Sequence, residues 1–224
     1  MKPASRPSRG IGRPRPIPGL DAREVLLDAA VALFADQGIA ATTIAQIAHE
    51  AGVTPAMVHY YFTNRDLLLD AIAQERLLRT VTAVWAPVMD QSADVSRMVR
   101  GLVRRIVQAN EARPWLSSLW LREIVSEGGQ LRQRMLKSLP FTYLQHFITA
   151  VAAAQRRGAV NPDLDPRLVF VSVIGLTLLP LATMNIWHQV PLLQGVRHKQ
   201  VIEHAEALLL QGLSVRPRQR ARRR

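Results

Sequence analysis

Residues 43–62, TIAQIAHEAGVTPAMVHYYF, restrict the fold of this chain more than any other stretch of its 224 residues. Thr43 and Gln46 have the spacing of a capping box, which opens a helix, and apolar residues follow at helical intervals. Gly52 supplies the permissive backbone that a tight turn between two helices needs. Pro55 then stands at the first position of a second helix, where the N–H that proline lacks would have no helical partner. The stretch therefore predicts two short helices joined by a glycine turn.

The second of these helices is expected to present its N-terminal half to solvent. Val58 and Phe62 lie four residues apart and should point into the core together with Val53. The outward positions are then Pro55, Ala56, Met57, His59 and Tyr60. Helix-turn-helix proteins contact DNA bases with this part of their second helix, so the pattern indicates a DNA-reading device. An ordinary helical hairpin would share the glycine turn, and the flanking sequence separates the two interpretations.

Amphipathic helices are predicted on both sides of this pair. Upstream, Asp21 and Glu24 have the spacing of a capping box, and Gly38 ends the helix that they open. Downstream, Thr63 and Asp66 repeat the pattern and open a fourth helix. Three helices and the start of a fourth thus fit into about fifty residues.

Residues 22–70 resemble the DNA-binding domain of the tetracycline-repressor (TetR) family of bacterial regulators. The residues that carry the resemblance are Ala29, Ala30, Leu33, Phe34, Gly38, Thr42, Thr43, Ile47, Ala48, Ala51, Gly52, Val53, Tyr60, Tyr61, Phe62, Arg65, Asp66, Leu67 and Leu68. The resemblance implies a homodimer whose two recognition helices enter successive major grooves of double-stranded DNA. It also implies a C-terminal domain that binds a small-molecule effector.

The resemblance assigns DNA contacts to the matching positions of this chain. The helix N-terminus at Thr43 would hold a phosphate, the outward residues of the second helix would face bases, and Tyr61 and Arg65 would contact the DNA backbone. The candidate DNA-binding residues of this region are Thr43, Thr54, Pro55, Ala56, Met57, His59, Tyr60, Tyr61 and Arg65. His59 departs from the family's pattern, which has tyrosine there. One of Tyr60 and Tyr61 could instead pack beneath the fourth helix.

The net charge of +12 is concentrated at the two ends of the chain. Residues 1–20 hold five basic residues and no acid, and residues 216–224 hold six arginines and no acid, which leaves +1 for everything between. Residues 21–66 hold two arginines and six carboxylates, a net charge of −4. Attraction to phosphate must then come from helix N-termini and, above all, from the basic arm at the N-terminus.

The arm, residues 1–20, is rich in Pro, Gly, Arg and Ser and is predicted to be disordered when free. Its candidate DNA contacts are Arg9, Arg13 and Arg15. The Gly-Arg-Pro triplet centred on Arg13 is similar to an AT-hook, which lays arginine into narrow A·T-rich minor groove. Contact with phosphates without sequence preference is the alternative. Residues 214–224 are predicted to form a disordered, Arg-rich tail that adds nonspecific attraction to polyanions.

The predicted fold class is all-α, with an N-terminal three-helix helix-turn-helix domain followed by a helical effector-binding and dimerisation domain. The expected segments are the arm 1–20, the DNA-binding domain 21–66, the ligand-binding and dimerisation domain 67–213, and the tail 214–224. Helices of the second domain are expected near 64–90, 94–111, 114–127, 130–157 with a disturbance at Pro140, 165–188 and 197–213. No alternating strand pattern is present.

Residues 168–187 carry no formal charge and are long enough to cross a bilayer. Polar residues and Pro180 interrupt the run, so we expect a buried helix instead, packed with the helix near 197–213 into a dimer seam of two chains. Membrane spanning is the remaining alternative. No apolar segment follows the basic start, so no secretory signal is predicted. We expect a cytoplasmic, nucleoid-associated bacterial protein without a membrane partner.

Large apolar side chains in the second domain are candidates for an effector pocket. The candidate ligand-binding residues are Trp85, Met89, Trp115, Trp120, Phe141, His146, Phe147 and Met184. Packing in a helical core is the alternative role for each of them. The composition favours an apolar or aromatic effector, and an anionic effector is an open alternative. His146 and His188 lack a third ligand at metal spacing, so no metal site is predicted.

The sequence gives no support for catalysis. It has no cysteine, no glycine-rich phosphate loop, no nucleophile elbow and no HExxH spacing, so we expect neither an enzyme nor a cofactor. The hypothesis is a ligand-responsive homodimeric repressor that binds a palindromic operator and is released by its effector. The alternative is an architectural protein of A·T-rich DNA that binds through its basic arms.

Overall fold

The computed structural model describes residues 21–90 and 94–215. The basic arm, with Arg9, Arg13 and Arg15, lies outside the described residues, and so does the tail from residue 216 onward. Every regular element in the described part of the chain is helical, which confirms the predicted all-α fold class.

Four helices form the N-terminal unit, which we call the DNA head (residues 21–72). They are α1 (Ala22–Gln37), α2 (Ile44–Glu50), α3 (Pro55–Phe62) and α4 (Arg65–Ile72). The predicted starts of the first two are confirmed: Asp21 caps α1, and Thr43 and Gln46 form a complete capping box at α2. Thr54 caps α3 by backbone conformation only, because its side chain makes no capping hydrogen bond.

The predicted cap of α4 is wrong by one residue. Thr63 has a φ of 55°, so it lies in the turn that reverses the chain after α3. Asn64 is the cap, and its side-chain oxygen accepts a hydrogen bond from the backbone N–H of Leu67 at 2.9 Å. Thr63 and Asn64 both suit a helix N-cap, and the tight turn after Phe62 decides between them.

The second unit contains seven further helices among the described residues. They are α5 (Arg79–Trp85), α6 (Val95–Ala112), α7 (Trp115–Trp120), α8 (Arg132–Ser138), α9 (Phe141–Arg156), α10 (Pro166–Trp187) and α11 (His198–Leu213). A π-helical turn, Ala73–Leu78, joins α4 to α5, and a 3₁₀ turn, Ala86–Met89, follows α5. A second π-helical turn, Leu121–Val125, extends α7.

The predicted helix over 130–157 divides into α8 and α9 at Pro140. Proline disfavours a helical conformation at the residue before it, and Leu139 has an extended ψ of 131°. The other predicted helices of the second unit are confirmed to within a few residues at each end. The α8–α9 break becomes one wall of the cavity described below.

Two hydrophobic cores hold the molecule together. The core of the DNA head contains Leu26, Phe34, Ile47, Val58 and Phe62, with contributions from α4. The second core packs α6 against α9, α10 and α11. The head's core does not end at its own helices, because α1 packs against α7 and the cluster includes side chains from α7, the second π turn and α8.

The helix α10 is long and apolar enough, by length and composition alone, to cross a membrane. About a third of its apolar window, 33%, is buried inside the chain. Core helices of soluble proteins also meet the length and composition criterion. The apolar side chains of this helix that are exposed form a stripe, which includes Leu168, Val171, Leu179 and Ile186.

Candidate nucleic-acid interface and effector cavity

The N-terminal half of α3 is exposed, as the sequence predicts. Pro55, Ala56 and His59 are exposed, Met57 is 37% accessible, and the Tyr60 side chain stands out with 78%. Val58 and Phe62 on the opposite face are buried in the head's core. The helix therefore offers a continuous surface of small, thioether and aromatic side chains that can be inserted into a groove of the duplex.

Two further candidates lie at the start of α2 and the end of α3. Thr43 is exposed at the helix N-terminus, where its hydroxyl accepts a hydrogen bond from the N–H of Gln46 at 3.2 Å. Such a terminus favours an anion through free N–H groups and the helix dipole. Tyr61 is half-buried against the head's core, and its ring meets that of Tyr60 edge-on at 5.1 Å between centroids. Of the two tyrosines, Tyr61 is thus the one that packs.

Arg65 has a position that differs from the sequence expectation. Its guanidinium donates hydrogen bonds to two backbone carbonyls of the α1–α2 loop, those of Thr42, at 2.8 Å, and Ile39. It also lies 6.0 Å from the centre of the Phe34 ring. These contacts use the side chain inside the head to fix the loop, and the predicted contact of Arg65 with the DNA backbone stays a prediction.

Two ion-pair groups link α1 of the head to the first π turn, which follows α4. The buried guanidinium of Arg76 bridges Glu24 at 2.8 Å and Asp28 at 2.7 Å. Arg23 pairs with Glu75, and this hydrogen bond lowers the pKa of Glu75 and raises the pKa of Arg23. Arg76 therefore partly compensates the −4 charge that the sequence assigns to the head, whereas the Arg23 pair joins an arginine of the head to an acid that follows it.

Arg134 of α8 forms ion pairs with two further carboxylates of the head, both on α4. Its side chain bridges Asp66 at 2.8 Å and Asp70 at 2.6 Å. Because Arg134 belongs to the second unit, this contact ties α8 to the helix that leaves the DNA head.

An apolar cavity of about 360 Å³ lies in the second unit, within the usual size range of ligand pockets. Its walls come from α5, α6, α7, the second π turn, the α8–α9 break and α10. The lining residues are Thr80, Val81, Val84, Trp85, Ile106, Ala109, Leu116, Trp120, Ile124, Leu136, Leu139, Pro140, Phe141, Tyr143, Leu144, Phe170, Ile174 and Leu178. Leu136 and Phe141 are 43% and 53% exposed, so they mark the side that is open to solvent.

Three of the predicted ligand-binding residues, Trp85, Trp120 and Phe141, line this cavity. The other five do not. Phe147 is fully buried behind Trp85, and Met184 packs in the contact of α6, α10 and α11. Trp115 faces a neighbouring crevice, and Met89 and His146 lie away from the cavity lining.

Sequence reasoning missed the wall that α10 supplies through Phe170, Ile174 and Leu178. An all-round apolar helix carries no polar face that would indicate which side meets a cavity. The spacing of these three residues, four apart each time, is visible in the sequence but is equally typical of a packed core.

The cavity and the DNA head share structural parts. Leu116 and Ile124 line the cavity and also belong to the hydrophobic core of the head. Next to Ile124, the carboxylate of Glu123 is buried and accepts hydrogen bonds from the backbone N–H groups of Ile39, at 3.3 Å, and Gln130, at 2.9 Å. A buried side chain of the second π turn, next to a residue that lines the cavity, therefore holds the loop between α1 and α2.

Gly129 allows this arrangement by having no side chain. An added Cβ there would lie 2.9 Å from the Cα of Glu123 and closer still to its carbonyl group. The loop that carries Gln130 can thus approach the backbone of the π turn directly. Within the described residues, no group of three or more His, Asp or Glu side chains is arranged to hold a metal ion.

Comparisons with known proteins agree with this architecture. Residues 26–72 match the family described as bacterial regulatory proteins, tetR family. The HTH-type transcriptional regulator BetI of Rhizobium meliloti (strain 1021) is 34% identical over 99 residues, which cover 44% of this chain and 48% of that protein. BetI of Brucella anthropi is 46% identical over 55 residues, which cover 25% of this chain and 28% of that protein. The chain thus spans about half the length of these relatives or less.

Solved structures match over most of the chain. The ketosteroid transcriptional regulator KstR2 of Mycobacterium tuberculosis aligns with a TM-score of 0.70 at 22% identity, over 88% of this chain and 96% of that one. The regulator FadR from Bacillus subtilis, solved in complex with stearoyl-CoA, aligns with a TM-score of 0.65 at 18% identity, over 85% and 98%. At such identities the likeness shows a common fold, and it extends through both units.

Proposed function

The chain belongs to the TetR family of bacterial regulatory proteins, and on that premise we propose that it is a homodimeric, ligand-responsive transcriptional repressor. It binds a palindromic operator through α3 of each subunit and leaves it when a small apolar effector occupies the cavity. The observation that carries the proposal is that Ile124 and Leu116 line the cavity and also belong to the core of the DNA head, while Glu123 beside Ile124 holds the α1–α2 loop.

Recognition of DNA is assigned to the exposed half of α3. Met57 and Tyr60 face base edges, together with the small residues at the helix start, and the N-terminus of α2 at Thr43 takes a phosphate. Two such heads dock together only when their separation matches one turn of the duplex, about 34 Å. The DNA-bound state is therefore sensitive to any rotation of the heads relative to each other.

Dimerisation is assigned to α10 and α11. The exposed stripe of Leu168, Val171, Leu179 and Ile186 runs along α10, and Leu208 of α11 is 50% exposed beside it. The two helices pack against one another and against α6. A second copy would cover this stripe by four-helix packing, which supports the seam predicted from the sequence.

The effector is assigned to the apolar class by the cavity. Almost all of its lining side chains are aliphatic or aromatic, and Thr80 and Tyr143 supply the polar side-chain groups. The structural neighbours named after ketosteroids and fatty acids, one of them solved with stearoyl-CoA, support an apolar effector of this kind. Such a ligand shifts the population toward the conformation whose cavity fits it, and by linkage DNA weakens ligand binding equally.

We assign the protein to the cytoplasm, in association with the nucleoid, because the binding partner that we propose for it is chromosomal DNA. The apolar helix α10 is then a dimer helix rather than a membrane anchor. Separating soluble and membrane fractions of cells that express the chain checks this assignment, and recovery in the membrane fraction would contradict it.

The deciding experiment is operator release. An operator is selected from random DNA with the purified chain, and its footprint and affinity are measured with and without medium-chain apolar ligands. A discrete palindromic footprint whose occupancy falls with ligand supports the repressor. Uniform coverage of A·T-rich DNA would instead favour the architectural protein.

A further inference from the structure

A polar crevice of about 610 Å³ adjoins the apolar cavity. It runs between α1, the first π turn with α5, and α6, and Trp115 at the start of α7 closes one end. Thr80, Val84 and Ala109 line both the crevice and the cavity. The two spaces therefore adjoin one another along a short boundary of mostly small side chains.

The charges of the crevice are not balanced. Its three carboxylates, Glu24, Asp28 and Glu75, are engaged in ion pairs with Arg76 and Arg23. Three more guanidinium groups line the same crevice, those of Arg79, Arg105 and Arg113. None of these three forms an ion pair with a carboxylate of the described residues. The crevice thus has a positive surplus that an anionic ligand can neutralise.

Arg105 is the best placed of the three. Its side chain is half-buried, and its Nε donates a hydrogen bond to the backbone carbonyl of Val84 at 2.7 Å. This contact holds the guanidinium at Val84, which lines both spaces, and leaves the terminal nitrogens of Arg105 available for a ligand. Burial lowers the pKa of Arg105, which an anion beside it would offset.

We infer that this crevice binds the anionic end of the effector, so that the effector is an amphiphile with an apolar body in the cavity and a carboxylate or phosphate held by Arg79, Arg105 and Arg113. The inference rests on the proposed function, because it uses the same cavity. Planar guanidinium groups bind either oxyanion through paired hydrogen bonds, and a fixed one beside an apolar wall selects for a ligand with both properties.

The inference is tested by ligand titration of the full chain, with the fluorescence of its tryptophans as the readout. Trp85 and Trp120 line the cavity and Trp115 lines the crevice, so a ligand in either space changes the signal. The probes are decanoate, decyl phosphate and decan-1-ol, which share one apolar chain. We expect at least one anion to bind at least about tenfold more tightly than the alcohol, the ratio that one charge-assisted hydrogen bond supports. The preferred anion identifies the head group.

Two variants and a control complete the test. Arg105→Met and the exposed Arg113→Gln should each reduce the preference for the anion and leave the affinity for decanol unchanged. Arg97→Gln is the matched control. Arg97 is an exposed arginine of α6, the helix that carries Arg105, and it does not line the crevice. Both variants are checked for native helicity, and Arg113→Gln tests the inference at a side chain that is not buried.

The outcomes distinguish failure of the anion site from failure of the proposed effector response. Equal binding of decanoate, decyl phosphate and decanol would overturn the anion site and leave the apolar cavity in place. An anion preference that survives both arginine variants would also overturn it. If none of the three probes binds, the cavity itself is not the effector site, and the proposed release mechanism fails together with the inference.

Discussion

The carboxylate of Glu123 accepts a hydrogen bond from the backbone N–H of Ile39 at 3.3 Å, although 84 residues separate the two in the chain. Arg65 donates to the carbonyl of that same Ile39 from the opposite side. The α1–α2 loop is thus held by the second π turn through the N–H of Ile39 and by the DNA head through the carbonyl of Ile39. Any ligand that moves the π turn at Leu121–Val125 pulls on the loop that orients α2 and α3.

Replacing Glu123 by Gln should weaken this connection. The amide keeps one acceptor oxygen, so the buried N–H group of Ile39 or the partly buried N–H group of Gln130 loses its partner, at a cost of about 1–3 kcal/mol in the free energy of unfolding. Urea denaturation measures the loss, and hydrogen exchange at the Ile39 amide should accelerate. Glu127→Gln, an exposed acid of the following loop, is the control. Unchanged exchange at Ile39 would show that Glu123 does not hold the loop.

The variant Gly129→Ala should disturb the same site by steric means. The added methyl group meets the backbone of Glu123, which cannot rotate away as a side chain would, so the loop must shift. We expect a loss of about 1–3 kcal/mol, as for overpacked cores, and a lower melting temperature. Gly212→Ala, with open space around the added methyl group, should not destabilise the protein. Equal melting temperatures for the two variants would contradict the close packing at Gly129.

Tyr60→Ala should separate DNA affinity from stability. The side chain is 78% exposed, so the free energy of unfolding should change by no more than about 0.5 kcal/mol. Affinity for a selected operator should fall by about 1–3 kcal/mol, the range for loss of a specific DNA contact. Fluorescence anisotropy at fixed salt gives the affinity, and Gln145→Ala, exposed on α9, is the control. Full affinity of the Tyr60 variant would remove α3 from the proposed interface.

Deletion of residues 1–20 should change the salt dependence of DNA binding. The segment carries five basic residues and no acid. Each phosphate contact that is lost lowers the slope of log affinity against log salt by about 0.9. Anisotropy titrations at several salt concentrations measure the slope. A slope equal to that of the full chain would exclude the arm as a phosphate contact, and a changed preference for A·T-rich flanks would support minor-groove reading.

Glu75→Gln should reduce the loss of stability in acid. Arg23 holds the pKa of Glu75 below its ordinary value of 4.5, so the ionised carboxylate stabilises the fold above pH 4.5. That contribution disappears as the pH falls through the lowered pKa. The wild type should therefore be the more stable protein at pH 7, with the difference shrinking below pH 4.5. Denaturation across this range measures it, with the exposed Glu50→Gln as the control. A pH-independent difference would contradict the assignment.

The DNA head was largely predictable because its signals are local. The capping box of Thr43 with Gln46, the turn at Gly52 and the four-residue spacing of Val58 and Phe62 each lie within one turn or helix. Where two neighbouring residues could both serve, as Thr63 and Asn64 could, the sequence lacked the tertiary turn that chooses between them.

Several long-range contacts were not predictable, because they join side chains to backbone groups far away in the chain. The partners of Arg65 are carbonyl oxygens, which leave no trace in residue identity. A buried acid such as Glu123 has the same letter as a solvated one. Likewise Trp85 lines the cavity and Phe147 lies behind it, and only the packing of α9 against the second core decides which of two aromatic residues meets the empty space.

The double membership of Leu116 and Ile124 limits how the proposed response to an effector can be altered by mutation. A substitution at either position that changes the shape of the cavity also changes the hydrophobic core of the DNA head. Leu136, Phe141 and Leu144 line the same cavity but do not belong to the core of the DNA head. Altered inducer preference with intact operator recognition should therefore arise at the α8–α9 rim, and mutations at Leu116 or Ile124 should yield variants in which both properties change at once.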